Sequence, residues 1–205
     1  MHLVLLQRYL REICKKKSTL FYMFCFSVFM ALFTYIKYGE TALWLIWYCV
    51  SFAASFTAES FAGEKEERTI ETLLTLPLDL RTIVSARVLF AVSVCFAAEM
   101  VYLITLLFAG AELSAYFFAA AFLLVPACLF AFCYLMVYFS YRSSNVRMVH
   151  MKSAPLVIFH IIPVVVCLAL SSYAALFCAL ALFGIEFLCV RSRFKKVFSA
   201  EFLIS

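Results

Sequence analysis

Charge, glycine and asparagine are the scarce materials of this sequence. Only 14% of its 205 residues are charged, 67% are hydrophobic, and the mean hydropathy is +1.04. Soluble domains carry about a quarter charged and about half apolar residues, so the composition excludes a soluble fold and reads as an integral membrane protein. Four glycines and a single asparagine, Asn145, leave little material for tight turns. The apolar runs are long and rich in Phe, Leu, Ala and Val rather than short and alternating, which argues against a β-barrel and for helices. No Gly-x-x-x-x-Gly-Lys-Ser/Thr occurs, and Gly39, Gly63, Gly110 and Gly184 are too dispersed to build a phosphate loop, so the chain is not expected to hydrolyse ATP by itself. Linkers, low-complexity stretches and internal repeats are also missing, which leaves one transmembrane domain over 1–205 and no soluble domain.

Cysteine is plentiful by comparison, with nine in the chain. Cys25, Cys49, Cys95, Cys128, Cys133, Cys167 and Cys178 all fall inside apolar runs, and no pair has Cys-x-x-Cys spacing. They read as small buried hydrophobes, and no metal site or catalytic constellation is expected.

A helix needs about 20 apolar residues to cross the hydrocarbon core. Six such spans are expected, at 18–36, 41–61, 83–109, 113–139, 155–171 and 173–190; a long re-entrant pair is the alternative for the last two, broken only at Ser171-Ser172. Ahead of them, residues 1–17 place Leu3, Leu6, Leu10 and Ile13 on one side and Arg8, Arg11, Glu12 and Lys15 on another, the pattern of an interfacial helix. A signal peptide competes for this region, but Lys37-Tyr38-Gly39-Glu40 lacks a small-x-small cleavage pattern, so the first span is expected to be retained. Every Lys and Arg except Lys37 falls before the first span, around the second-to-third connection, between Arg142 and Lys152, or after the last span. The positive-inside rule therefore puts both termini in the cytoplasm. The outer connections near Lys37–Glu40, Gly110–Glu112 and Ser171-Ser172 are too short to fold separately.

One segment concentrates charge inside this apolar chain, from Glu64 to Arg87. At about 100° per residue, Glu64, Glu67, Arg68, Glu71 and Thr75 form one stripe, and Ile70, Leu73, Leu74 and Pro77 the opposite one. This is an amphipathic helix over 64–76, ended by Pro77. Glu64 precedes Arg68 by four residues, in the favourable order, yet such pairs stabilise by only about 0.2–0.5 kcal/mol. Local stability does not account for four acids between Glu64 and Glu71, and a net negative segment beside anionic lipid is repelled. A basic protein partner resolves that; the plain alternative is a solvated loop.

The run Gly63-Glu64-Lys65-Glu66-Glu67-Arg68-Thr69-Ile70-Glu71-Thr72-Leu73-Leu74-Thr75-Leu76-Pro77-Leu78, between an apolar span and Ile83–Leu89, resembles the second-to-third span connection of ABC-2 type transporter permeases. That family usually has Gly where this chain has Arg68, and commonly Lys near Arg87. The six-span layout with both ends inside extends the resemblance over the whole chain. It implies a permease, most simply an exporter of the bacterial cytoplasmic membrane, pairing with a second permease subunit and with cytoplasmic ABC ATPase subunits that bind the ATP and Mg. It also implies that 64–76 is a coupling helix. Glu64, Glu66, Glu67, Arg68 and Glu71 would contact the ATPase, while Ile70, Leu73 and Leu74, closed by Pro77, would pack on the membrane domain. Membrane lipid is the remaining partner; no nucleic acid and no cofactor of the chain's own are expected. A haem-exporter-like component of cytochrome c maturation is the alternative within the superfamily, and an ATP-independent channel or scaffold is the alternative outside it. The cargo stays open among peptides, bacteriocins, lipids, drugs and ions.

Six further residues carry expectations. Glu99 sits near the middle of the third span, where a carboxylate is expensive; it either faces a translocation path or is a protonated acid bonded to a neighbour such as Tyr102. His160, lacking a Cys, Asp or second His nearby in sequence, reads as a hydrogen-bonded packing residue. Glu59 and Glu186 read as interfacial. Pro126 and Pro163 are expected to kink their helices.

Overall fold

The computed structural model describes residues 17–38, 50, 52–58, 61–66 and 80–197. Every regular element among them is helical: α1 (Lys17–Tyr38), α2 (52–58), α3 (Phe61–Glu66), α4 (Leu80–Phe108), α5 (Ala115–Arg142), α6 (Val146–Leu170) and α7 (Tyr173–Val197). Four segments are long and apolar enough to cross a membrane, Arg81–Phe108, Ala115–Arg142, Val146–Leu170 and Tyr173–Phe194, and α1 adds the shorter apolar stretch Phe21–Phe33. Residues 1–16 of the interfacial helix expected over 1–17, most of the first part of the span expected over 41–61, and 67–76 of the coupling helix lie outside the described residues.

The bundle is built around α5. Of its apolar window 61% is buried, against 44% for α4 and 22% for each of α6 and α7. It touches α3, α4, α6 and α7, while α1 packs on α4. The reason lies in its side chains: Cys128, Ala131 and Cys133 let neighbours approach closely, and Phe132, Met136 and Tyr141 fill the gaps between them. Hydroxyls elsewhere bond back into their own helices, as Ser27 does to the Met23 carbonyl (3.0 Å) and Thr105 to that of Val101 (2.8 Å).

Turns are made by the few residues able to make them. At the end of α4 the N–H groups of Gly110 and Ala111 return to the Leu107 and Leu106 carbonyls, both at 3.0 Å, and Gly110 takes the left-handed φ of +83° that this cap requires. Ser171 takes the equivalent position after α6, at φ 47°. Tyr116 at the start of α5 fastens that turn, its hydroxyl donating to the Cys167 carbonyl at 2.6 Å. Within α5 the register widens to a π-turn over Ala120–Leu124, just ahead of Pro126. Proline lacks the N–H that would continue the ladder, and the slip in register takes up the defect.

Two boundaries differ from expectation. The fifth span does not begin at Pro155: α6 starts at Val146, and the connection from α5 is only Ser143–Asn145. Arg147, His150 and Lys152 thus lie on the first turns of a helix rather than in a loop. Asn145, the one asparagine, decides this by capping α6, its side-chain oxygen accepting from the Met148 N–H at 2.9 Å. Similarly, α7 runs on through Arg191 and Arg193 to Val197, so Glu186 lies in the middle of the helix rather than near its end. Replacing Asn145 by Ala is expected to lower stability by ~1 kcal/mol. Thermal unfolding of the detergent-solubilised protein checks this, and an unchanged midpoint would mean that the cap does not set the start of α6.

Candidate functional site

The charged segment enters the structure through α3, and α3 is held on three sides. Ala58 is the last described residue of α2, and Phe61 and Ala62 open α3, where the first N–H groups of a helix have no partner inside it. One hydroxyl supplies all three: Ser140 Oγ donates to the Ala58 carbonyl at 3.0 Å and accepts from Phe61 N and Ala62 N, each at 2.9 Å. Ser140 is fully buried, and one donor with two lone pairs is the complete capacity of a serine hydroxyl.

Phe61 then fills the space between α5 and α4. Its ring, also fully buried, meets Tyr141 edge to face at 5.7 Å, and the Arg87 guanidinium lies 4.3 Å from its centroid. Arg87, only 5% exposed on α4, extends to the Glu64 carboxylate and forms an ion pair. Phe61 thereby shields one face of a charge that would otherwise be stranded in an apolar helix.

Lys65 and Glu66 bind the two ends of the α5–α6 turn. The Lys65 ammonium donates to the carbonyls of Tyr141 (3.0 Å) and Ser143 (3.4 Å) at the negative end of α5. The Glu66 carboxylate accepts from the Val146 N–H (2.9 Å) at the positive end of α6. Each charge matches the helix dipole it faces. Partial burial pushes Lys65 below the usual lysine pKa, and the carbonyls partly replace its lost water.

Of the residues assigned to a partner by sequence, Glu64 and Glu66 are therefore engaged within the chain, Glu64 with α4 and Glu66 with α6. Glu66 remains exposed. Glu67, Arg68 and Glu71, with the packing residues Ile70, Leu73, Leu74 and Pro77, lie outside the described residues. Arg87, Ser140 and Lys65 had no role in the sequence reading. The signal for Arg87 was present, a cation several residues into an apolar helix with an acid across the loop. Ser140 has none.

A second polar region lies deeper. Glu99 on α4 has no exposed surface, and neither carboxylate oxygen has a hydrogen-bond partner among the described residues. The Tyr102 bond considered from sequence is not formed. Across the bundle, His160 of α6 faces Glu186 of α7, Nε2 to Oε1 at 3.1 Å. Sequence reasoning left this histidine without an acid because Glu186 is brought to it only by the α6–α7 hairpin. No cluster suited to a metal ion occurs among the described residues.

A protein-family model described as ABC-2 family transporter protein matches residues 4–197. No curated protein and no solved structure matches the chain.

Two outcomes test the geometry. Ser140→Ala removes the partner of three backbone groups and is expected to cost about 2–3 kcal/mol in detergent unfolding, well above the effect of Ser27→Ala, whose hydroxyl only bonds back into its own helix. Glu64→Gln and Arg87→Gln should each destabilise by roughly 3 kcal/mol, and the double variant by clearly less than their sum. Strict additivity would show that the pair does not act as a unit.

Proposed function

Because the chain belongs to the ABC-2 transporter family, whose members are multi-pass membrane proteins, we propose that it is the permease subunit of an ABC exporter driven by a separate cytoplasmic ATPase. The observation that carries this reading is the family match over residues 4–197, joined to a charged segment whose entry helix is tied to three membrane helices. Six spans, with both termini in the cytoplasm of a bacterium, complete the layout, as the distribution of Lys and Arg supports. The permease works as a homo- or heterodimer, since six helices seldom enclose a pathway, and ATP and Mg are bound by the partner rather than by this chain.

In this mechanism the helix over 64–76 is the coupling element. Glu67, Arg68 and Glu71 present charge to the ATPase, while Ile70, Leu73, Leu74 and Pro77 seat the helix on the membrane domain. Nucleotide-driven closure of the ATPase pair displaces the helix, and α3 delivers that displacement at three points: to α4 through Arg87, to α5 through Ser140, and to α6 through Glu66. Packed helices respond as rigid bodies rather than by bending, so a small shift at α3 becomes a reorientation of the bundle. Glu99 belongs to the translocation path as its polar point. A buried carboxyl without a described partner in a membrane helix supports that role.

Coexpression with its neighbouring genes, any ABC ATPase among them included, tests the proposal. The permease is expected to copurify with that ATPase, and Glu71→Lys should weaken the complex about tenfold or more, equivalent to ~1.4 kcal/mol, with a parallel fall in ATP-driven transport. Purification without any ATPase, together with full activity of Glu71→Lys, would falsify the coupling role.

A further inference from the structure

His160 has no exposed surface, and its ring is enclosed by Phe183, stacked at 5.9 Å with 11° between planes, and by Phe132 and Phe159, edge-on at 5.1 and 5.9 Å. Its Nδ1 lies 2.8 Å from the Leu156 carbonyl oxygen. A carbonyl oxygen can only accept, so Nδ1 carries a hydrogen and, in the neutral ring, Nε2 carries a lone pair. Nε2 is the atom that faces Glu186 Oε1 at 3.1 Å, and Oε2 of the same carboxyl is buried without a hydrogen-bond partner among the described residues. A neutral imidazole beside an ionised carboxylate would thus leave a lone pair against a negative charge, with no donor to Nε2 or Oε2 among the described residues and the Glu186 side chain only 17% exposed. One more proton relieves this. On Nε2 it makes an imidazolium–carboxylate pair, with the cation stacked on Phe183; on Glu186 it makes a carboxylic acid donating to Nε2.

We propose that His160 and Glu186 together form a proton-binding site inside the bundle, holding one proton between α6 and α7. Uptake forms one N–H or O–H bond and adds one positive charge to the pair; release returns the proton to water. With the proton bound the contact is attractive. Without it the two groups repel in a medium of low dielectric, and the hairpin loses a tie at mid-length. Few other side-chain hydrogen bonds join these helices among the described residues: the Cys167 thiol to the Ala175 carbonyl, at 3.1 Å, lies near the turn. The site is thus placed to link the packing of α6 against α7 to proton occupancy, whichever cargo the protein carries.

The neighbouring titratable groups are few. From α5, Cys128 directs its thiol at the His160 carbonyl at 3.7 Å and lies within electrostatic reach of Glu186 and, on α4, of Glu99. On α7 the next charge is Arg191, whose guanidinium sits 6.0 Å from the Phe187 ring centroid. At the α5–α6 turn, Lys65 of α3 meets the C-terminal end of α5 and Glu66 the N-terminal end of α6.

The test uses the full-length protein in lipid nanodiscs with 15N-labelled histidine, the His160 signals being assigned by their loss in His160→Gln. At neutral pH, His160 should show both ring nitrogens protonated, or else infrared spectra should show a protonated carboxyl that disappears in Glu186→Gln. Either result places the shared proton in the contact. Raising the pH should remove that signature and lower the melting temperature. In Glu186→Gln, whose amide can donate to Nε2 without a titrating proton, the melting temperature should respond much less to pH. The proposal is overturned if between about pH 5 and pH 8 Nε2 stays unprotonated beside an ionised Glu186. It is equally overturned if Glu186→Gln and wild type respond to pH alike.

Discussion

Where a helix starts inside an apolar bundle, its first N–H groups must find partners from the protein, because the surroundings offer none. For Phe61 and Ala62 of α3, and for the carbonyl of Ala58 in α2, one hydroxyl meets that requirement. Ser140 joins α2, the start of α3 and the body of α5, and Phe61, Glu64, Lys65 and Glu66 take their places from the direction in which α3 then leaves. The ion pair to Arg87 and the contacts at the α5–α6 turn depend on that direction. Around this joint the membrane helices are conventional, with a buried α5 at the centre and α6 and α7 largely on the outside.

Polar groups in this chain are few; most described hydroxyls bond back into their own helices, and a small set of charged and aromatic polar groups joins one helix to another. Arg87 to Glu64 ties α4 to α3, Glu66 ties α3 to α6, Tyr116 ties α5 to the α6–α7 turn, and His160 to Glu186 ties α6 to α7. Apolar side chains gain little by packing against each other instead of against lipid, so such ties fix which helices are neighbours. Glu99 is the exception, a buried carboxyl with no described partner. The proposed role in the translocation path starts from that difference.

The helices were legible because a span of apolar residues leaves a sequence little else to be, and the hairpin turn at Ser171-Ser172 was legible for the same reason. The start of α6 was not. Pro155 looks like a helix opener, and charge at Arg147 and Lys152 looks like a loop, yet an asparagine cap outweighs both. The interior ties were less legible: nothing in the sequence pairs His160 with Glu186 until the hairpin closes, whereas Arg87 did stand out as a cation inside an apolar helix with Glu64 across the loop. Ser140 was the least readable residue of all. Ser27, Ser93 and Thr105 occupy similar apolar contexts and bond back to their own helices, and only the path of α3 distinguishes Ser140 from them.

Lys65 and Glu66 are adjacent residues of opposite sign, and they address helix ends of opposite polarity across one turn. A rotation of α3 about its own axis would sweep both side chains in the same sense, drawing each away from the helix end it matches and bringing one of them toward the end of the wrong polarity. Tilting or sliding together with the turn preserves both. The joint is therefore keyed: it resists twist and passes on thrust, so whatever pushes on the charged segment moves the α5–α6 corner as one piece.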